Sequence, residues 1–255
     1  MNFTILFIVV EYIVITYIFG LLYKLVGAKN SKYIQRNFGW GGYCVLGTVG
    51  VTFHELAHLI TAVIFRHKIN DVRLFRPIQG KVDGTLGYVK HSWNSRSIYQ
   101  KIGNFFIGTS PMFFGAGLLF LLLRIAYPTA FAEVTALSEI PSALGTAFGG
   151  MFSSEYLLTW WTPIIAITAI FICPHMDMSW PDIKGATSGA ITLTIVAALL
   201  SLVSVIMPIG VMAMIQSAMN TFVTYYIYAL VLGLIMSIIM TVCFCLMLFI
   251  RGRGL

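Results

Sequence analysis

Between Tyr43 and Phe65 the chain is almost uniformly apolar, and into that run it sets Val51-Thr52-Phe53-His54-Glu55-Leu56-Ala57-His58-Leu59-Ile60. On membrane-insertion scales a charged residue at the centre of a helix costs about 2.5 to 3.5 kcal/mol, and a neutral histidine less. Such side chains must face a bundle interior, so the fold has to gather other helices around this one. His54 and His58, four residues apart, project from one helix face, and two imidazoles so placed can hold one Zn2+. Glu55 sits beside that face, where a carboxylate can take the proton of a metal-activated water attacking a carbonyl. The pattern points to hydrolysis.

The surrounding composition says where this happens. Of 255 residues, 58% are hydrophobic and only 10% charged, and the mean hydropathy is +0.88, well outside the range of ordinary soluble domains. The expected fold is an all-α polytopic membrane protein forming one membrane-embedded domain over residues 1–255. A net charge of +7 would suit nucleic acid, but the basic residues flank apolar spans, where the positive-inside rule accounts for them. The expected partners are therefore the lipid bilayer and a membrane-protein substrate, with no nucleic acid. Cys44, Cys173, Cys243 and Cys245 lie in or beside apolar stretches without C-x-x-C spacing, and read as packing residues. The first apolar run has no basic leader, carries Glu11 and lacks a clear cleavage site, so it is expected to stay as a span.

About six transmembrane helices are expected, each long enough to cross a core of about 30 Å or nearly so: residues 2–25, 43–65, 104–125, 156–173, 182–207 and 222–250. Residues 24–42 read as a basic, Gly-rich connection, and 208–220 as a Met-rich interfacial segment. Between the second and third spans, two alternating stretches, 71–76 and 85–91, flank Asp83-Gly84, a hairpin turn signal. A small membrane-associated β-hairpin over about 70–92 is the reading. Its terminal His91 reads as a solvated residue more than as a ligand. Charge places 66–101, 174–182 and the tail Arg251-Gly252-Arg253 in the cytoplasm, 127–155 outside, and both polar constellations near the cytoplasmic leaflet. The basic stretch 24–36 then falls on the wrong side.

The second constellation is Pro174-His175-Met176-Asp177-Met178-Ser179-Trp180-Pro181-Asp182. Three possible ligands lie here. Asp182, in the first turn of a span, is rigidly held and enters the bundle, which favours it over His175 and Asp177. Ser179 to Asp182 also fits S-x-x-D at a helix start, so the same carboxylate could simply cap backbone N–H groups. If His175 is not a ligand, its imidazole is a candidate oxyanion donor.

With H-E-x-x-H in one membrane helix and an aspartate opening a later one, residues 43–190 resemble the site-2 protease family of intramembrane zinc metalloproteases. The resemblance implies one zinc per chain held by His54, His58 and Asp182, Glu55 as general base, and substrates cut in or near their transmembrane segments. It also implies a bacterial-type member in the cell membrane with its core over about 43–207. The family's second motif usually ends in Asp-Gly, whereas Ile183-Lys184 here stand between Asp182 and Gly185. Gly108 to Pro111 is loosely similar to the small-residue and proline motif of the family's neighbouring helix. Two other readings compete. A prenyl-protein-type membrane zinc protease would take a glutamate as third ligand, from Glu133, Glu139 or Glu155. A metal-binding or transport protein would use the same histidines without hydrolysis, and would have less need of Glu55. On the protease reading an unwound substrate segment is expected to lie along the exposed edge of the hairpin.

Overall fold

The computed structural model describes residues 3–128, 134 and 136–252, with the side chains of residues 155 and 156 outside that description. Helix α1 (Thr4–Ile64) is followed by strand β1 (Lys68–Arg73), helix α2 (Pro77–Asp83), strand β2 (Tyr88–Ser92) and helix α3 (Ile98–Ala126). Helices α4 (Ile140–Met151), α5 (Ser154–Leu157), α6 (Trp161–Ile172), α7 (Trp180–Val203) and α8 (Ile209–Ile250) complete the order. Among the described residues four helices are long and apolar enough to cross a membrane: α1, α3, α7 with its last turn, and α8. The chain is a membrane protein built of helices, with one small sheet among the described residues.

The connection expected over 24–42 is helix. Gly39 alone breaks α1, with φ 67 and ψ −171, a conformation open essentially only to glycine. The first arm, residues 4–38, buries Thr16, Gly20, Tyr23, Gly27, Asn30, Ile34 and Asn37, the alternating four-and-three spacing of a helix seam. That seam packs on α8 in parallel. The Tyr23 hydroxyl donates to the Leu230 carbonyl at 2.9 Å, Asn30 Nδ2 donates to Ser237 Oγ at 3.2 Å, and Asn37 Nδ2 donates to the Phe244 carbonyl at 2.8 Å. Inside a bilayer such bonds replace the hydrophobic drive that lipid removes. The stretch reads as a connection because of Lys29, Lys32, Arg36 and its glycines, whereas Asn30 and Asn37 among them make its helix contacts.

A second departure lies in the expected fourth and fifth spans. Along α3 from its C-terminal end to its start, the neighbours are Thr162 at Tyr127, Met176 at Gly115, Asp182 at Gly108, and Ser188 at Asn104. The partner residues rise steadily, so α6 and α7 are two halves of one interrupted pass antiparallel to α3. Residues 174–179, part of the stretch 174–182 that charge places in the cytoplasm, cross the interior between the halves. Glycines from four limbs make room for them: Gly20 and Gly27 on the first arm, Gly50 on the second, Gly115 on α3 and Gly233 on α8, where an added Cβ would meet this segment or its neighbours within 2.2–3.2 Å.

The sheet is antiparallel, pairing Ile69 with His91 and Val72 with Val89, with a bulge at Asn70. Its connection is not the tight hairpin that Asp83-Gly84 suggested. Instead α2 intervenes, and Gly84, at φ 75, ends it in the left-handed conformation. Both structures need a left-handed residue, so the local signal is the same. The sheet lies on the second arm of α1, residues 40–64, where Phe75 and Leu86 approach Gly47 and Gly87 abuts Glu55.

Arg251 donates to the Asn37 carbonyl at 2.9 Å, and Tyr99 donates to the Ile64 carbonyl at 2.8 Å. Tail and sheet therefore sit at opposite ends of the second arm, and charge cannot place both in the cytoplasm. Lys29, Lys32 and Arg36 lie toward the tail's end, which removes their conflict with it.

At Gly39 no heavy atom stands within 4 Å of an added Cβ, so substitution tests the backbone alone. Gly39→Ala should cost about 1–3 kcal/mol, read as a lowered midpoint of thermal unfolding in detergent. An unchanged midpoint would contradict the reversal at this residue.

Candidate metal centre

His54 and His58 face the interior from the second arm, and Asp182 enters from the first turn of α7. Their donor atoms converge to within 4.8 Å of one another. The tautomers follow from the backbone. His54 Nδ1 lies 2.8 Å from the His175 carbonyl, and His58 Nδ1 lies 2.8 Å from the Ile107 carbonyl. A carbonyl can only accept, so each Nδ1 carries the proton and each Nε2 of a neutral ring is bare. These two Nε2 atoms stand 3.1 Å apart, and Asp182 Oδ1 is 3.4 Å from that of His58.

Bare lone pairs facing each other beside a carboxylate oxygen are stabilised by a cation between them. Zinc with donors at about 2.0–2.1 Å in a tetrahedron spaces those donors by about 3.3 Å, close to what is found. Two imidazoles and one carboxylate, each held from behind, also make a donor set that suits Zn2+ and leaves a fourth position.

Both supporting carbonyls are freed by irregularities in their helices. Proline at 111 has no N–H, so the Ile107 carbonyl, four residues earlier in α3, lacks its helical donor and receives His58 and the Ser110 hydroxyl, the latter at 2.8 Å. Despite the proline, α3 is continuous over Ile98–Ala126, so Pro111 acts here on the hydrogen bonds and not by breaking the helix. The His175 carbonyl is free because the pass stops being helical after residue 175. Other carbonyls of that interruption also find donors: Ser237 Oγ reaches Cys173 O at 3.3 Å, and Lys24 Nζ reaches Met178 O at 3.2 Å.

Asp182 caps the start of α7, as S-x-x-D predicts, and keeps one oxygen toward the histidines. Oδ2 accepts from the Ser179 N–H at 2.8 Å and the Ser179 hydroxyl at 2.5 Å, while Ser179 Oγ accepts from the Asp182 N–H at 3.2 Å. This is a capping box. It orients the carboxylate and leaves Oδ1 for the histidines.

Glu55 is buried to 7% exposure and lines the same cavity as His54, His58 and Asp182, a space of about 830 Å3. The residue that leads into β2 touches it, since a Cβ on Gly87 would come within 2.7 Å of Glu55 Cγ. The His175 ring lies outside the donor group. Its Nδ1 points at the Phe171 carbonyl at 3.1 Å, the ring stacks on Tyr43, and the buried Nε2 has no partner among the described residues. What His175 presents to His54 is its backbone carbonyl. Asp177 is turned away as well, against Gly27 of the first arm. Of the three glutamates considered as alternative ligands, Glu133 and the side chain of Glu155 lie outside the described residues. Glu139 accepts from the Ala136 N–H at 3.2 Å at the start of a helical turn.

Sequence reasoning passed over His67. Buried to 5% exposure, it places Nδ1 2.9 Å from His91 Nδ1, and only tertiary structure joins the two. His91 is accordingly a half-buried cavity residue, not a solvated strand end.

No family model, curated protein or solved structure matches this chain. The class that fold and site define is a helical membrane protein with a partly buried cluster of two histidines and one aspartate.

Metal content of purified protein should fall to background in His54→Ala, His58→Ala and Asp182→Ala. It should persist in His175→Ala, because a backbone carbonyl survives the change. Pro111→Ala restores a helical competitor for the Ile107 carbonyl and should weaken metal affinity about 10- to 100-fold, the usual range for such supporting bonds. Full affinity in Pro111→Ala would contradict the part given to the proline.

Proposed function

We propose that the protein is an intramembrane zinc metalloprotease that hydrolyses peptide bonds in or near the transmembrane segments of other membrane proteins. The observation that carries the reading is the shared cavity: His54, His58 and Asp182 bring their free donor atoms together, and Glu55 lines the same space. The resemblance to site-2 proteases supports it, through the same four residues.

Zinc held by His54 Nε2, His58 Nε2 and Asp182 Oδ1 would act as a Lewis acid and bring the pKa of water to about 7. Glu55 takes a proton from the attacking water as its oxygen adds to the scissile carbonyl. Protonated Glu55 then passes that proton to the departing amine as the C–N bond breaks, and the carboxylate is regenerated. Ser179, through its two bonds to Asp182, and the Ile107 and His175 carbonyls, through the two imidazoles, keep the donors aimed.

A peptide bond within a helix is shielded by its own hydrogen bonds, so the substrate must be extended before it is attacked. Strand β2 suits that task. Among the described residues it pairs with β1 alone, it begins against Glu55, and residues 87–91 line the cavity. An extended segment added to its other edge would run past the general base.

The resemblance to site-2 proteases suggests a bacterial cell membrane, and eight Lys or Arg between Arg66 and Lys101 favour an orientation with the sheet and the cavity toward the cytoplasm. Six helical limbs, counting the two arms of α1 and both halves of the interrupted pass, make up the membrane domain. A transport function would leave Glu55 without a task. The glutamate ligand of a prenyl-protein-type protease has no candidate among the described donors of the cluster.

Glu55→Gln keeps the side chain's size and removes the base. Hydrolysis of quenched apolar peptides by protein in lipid nanodiscs should fall by about 10^2- to 10^4-fold, with zinc content unchanged. Equal rates for the two proteins would refute the assignment.

A further inference from the structure

Next to the metal cavity lies a second pair of histidines that the reaction above does not use. His67 follows Arg66, whose φ of 58 turns the chain out of α1 beneath the sheet. His67 Nε2 is 2.8 Å from the Gln100 carbonyl and must be the donor there, which leaves Nδ1 of the neutral ring bare. His91 Nδ1, at 2.9 Å, can only donate to it. The tautomer is thus handed along a chain, Gln100 to His67 to His91, and it ends with His91 Nε2 unprotonated.

The far end of the chain is anchored. Gln100 Nε2 donates to the Arg66 carbonyl at 2.6 Å, and its Oε1 accepts from the Asn94 N–H at 2.6 Å. Trp93 stacks on His67 at 24° and contacts the His91 ring. Burial holds both imidazoles below the ordinary histidine range, His91 at about 4, so the pair stays neutral near pH 7. His91 lines the cavity that holds Glu55 and the donor cluster.

We propose that His91 is a substrate-positioning residue whose Nε2 accepts a hydrogen bond from an N–H of an extended peptide bound in the cavity, with His67 fixing the tautomer. The inference rests on the protease reading and adds a subsite to it. Gly87 abuts Glu55 and His91 lies four positions along the strand, about 13 Å at 3.3 Å per residue. The acceptor therefore meets the bound segment about three or four residues from the bond being cut. Because it contacts a part of the substrate that does not react, it contributes to binding equally in ground and transition states.

Two substitutions separate acceptor from shape. His91→Phe keeps a ring beside Trp93 and removes the acceptor, whereas His91→Gln offers Oε1 in its place. The probe is a mixture of quenched apolar peptides with protein in nanodiscs, read as kcat, KM and zinc content. Peptide Kd is read separately on the non-cleaving Glu55→Gln background. His91→Phe should raise KM and Kd about five- to tenfold, the worth of one neutral hydrogen bond, with kcat within twofold and zinc unchanged; His91→Gln should restore most of the binding. Unchanged KM and Kd in His91→Phe, equal impairment by Phe and Gln, or loss of zinc in either would overturn the assignment. Absence of turnover in the unsubstituted zinc-loaded protein would overturn the protease reading itself, and is told apart because it precedes any change at His91.

Discussion

The bond from His54 Nδ1 to the His175 carbonyl joins the two halves of the site, and it depends on a helix that stops in the middle of the protein. A helical carbonyl at 175 would be occupied by its own chain. Ending α6 and its last turn at His175 leaves backbone acceptors inside an apolar bundle, each costing several kcal/mol if left unpaired. The bundle answers with Ser237, His54 and Lys24. One of those three donors belongs to the candidate metal site, so the interruption is satisfied and the imidazole is oriented by the same contact. Pro111 produces the equivalent acceptor for His58 by withholding an N–H instead of ending the helix.

Close approach is the second condition. The interrupted segment passes between helices at distances that side chains would forbid, and glycines on four limbs provide the space. Gly50 has the least tolerance, because an added Cβ would come within 2.2 Å of the Phe171 carbonyl and 2.3 Å of His175 Nδ1. Opposite it, the first arm grips α8 through Tyr23, Asn30 and Asn37, and buries Met176 and Met178 to 1% and 0% exposure. A rigid interior is what allows three donors to sit together with like lone pairs facing.

Much of the site was legible because its determinants are local. His54, Glu55 and His58 share one helix turn, and S-x-x-D at Ser179 to Asp182 marks a helix start whatever else the carboxylate does. The capping and ligand readings of Asp182 do not exclude each other, because a carboxylate has two oxygens: Oδ2 takes the cap and Oδ1 faces His58. What sequence could not convey was tertiary. Residues 24–42 looked like a loop by charge and glycine content, although Gly27, Asn30, Ile34 and Asn37 already carried the seam's spacing. Residues 174–179 looked solvated because the glycines that accommodate them are scattered from Gly20 to Gly233. His67 and His91 meet only across the sheet. Asp83-Gly84 reads as a tight hairpin turn, but the chain uses the left-handed Gly84 to end α2 instead.

We propose that His54 Nε2, His58 Nε2 and Asp182 Oδ1 are the protein ligands of one catalytic zinc. Zinc K-edge X-ray absorption on the purified, unsubstituted protein tests it directly. The account predicts about two imidazole nitrogens and one or two oxygens, all at about 2.0–2.1 Å. A sulfur shell at about 2.3 Å, bringing in one of the four cysteines, or a shell without imidazole scattering, would contradict it.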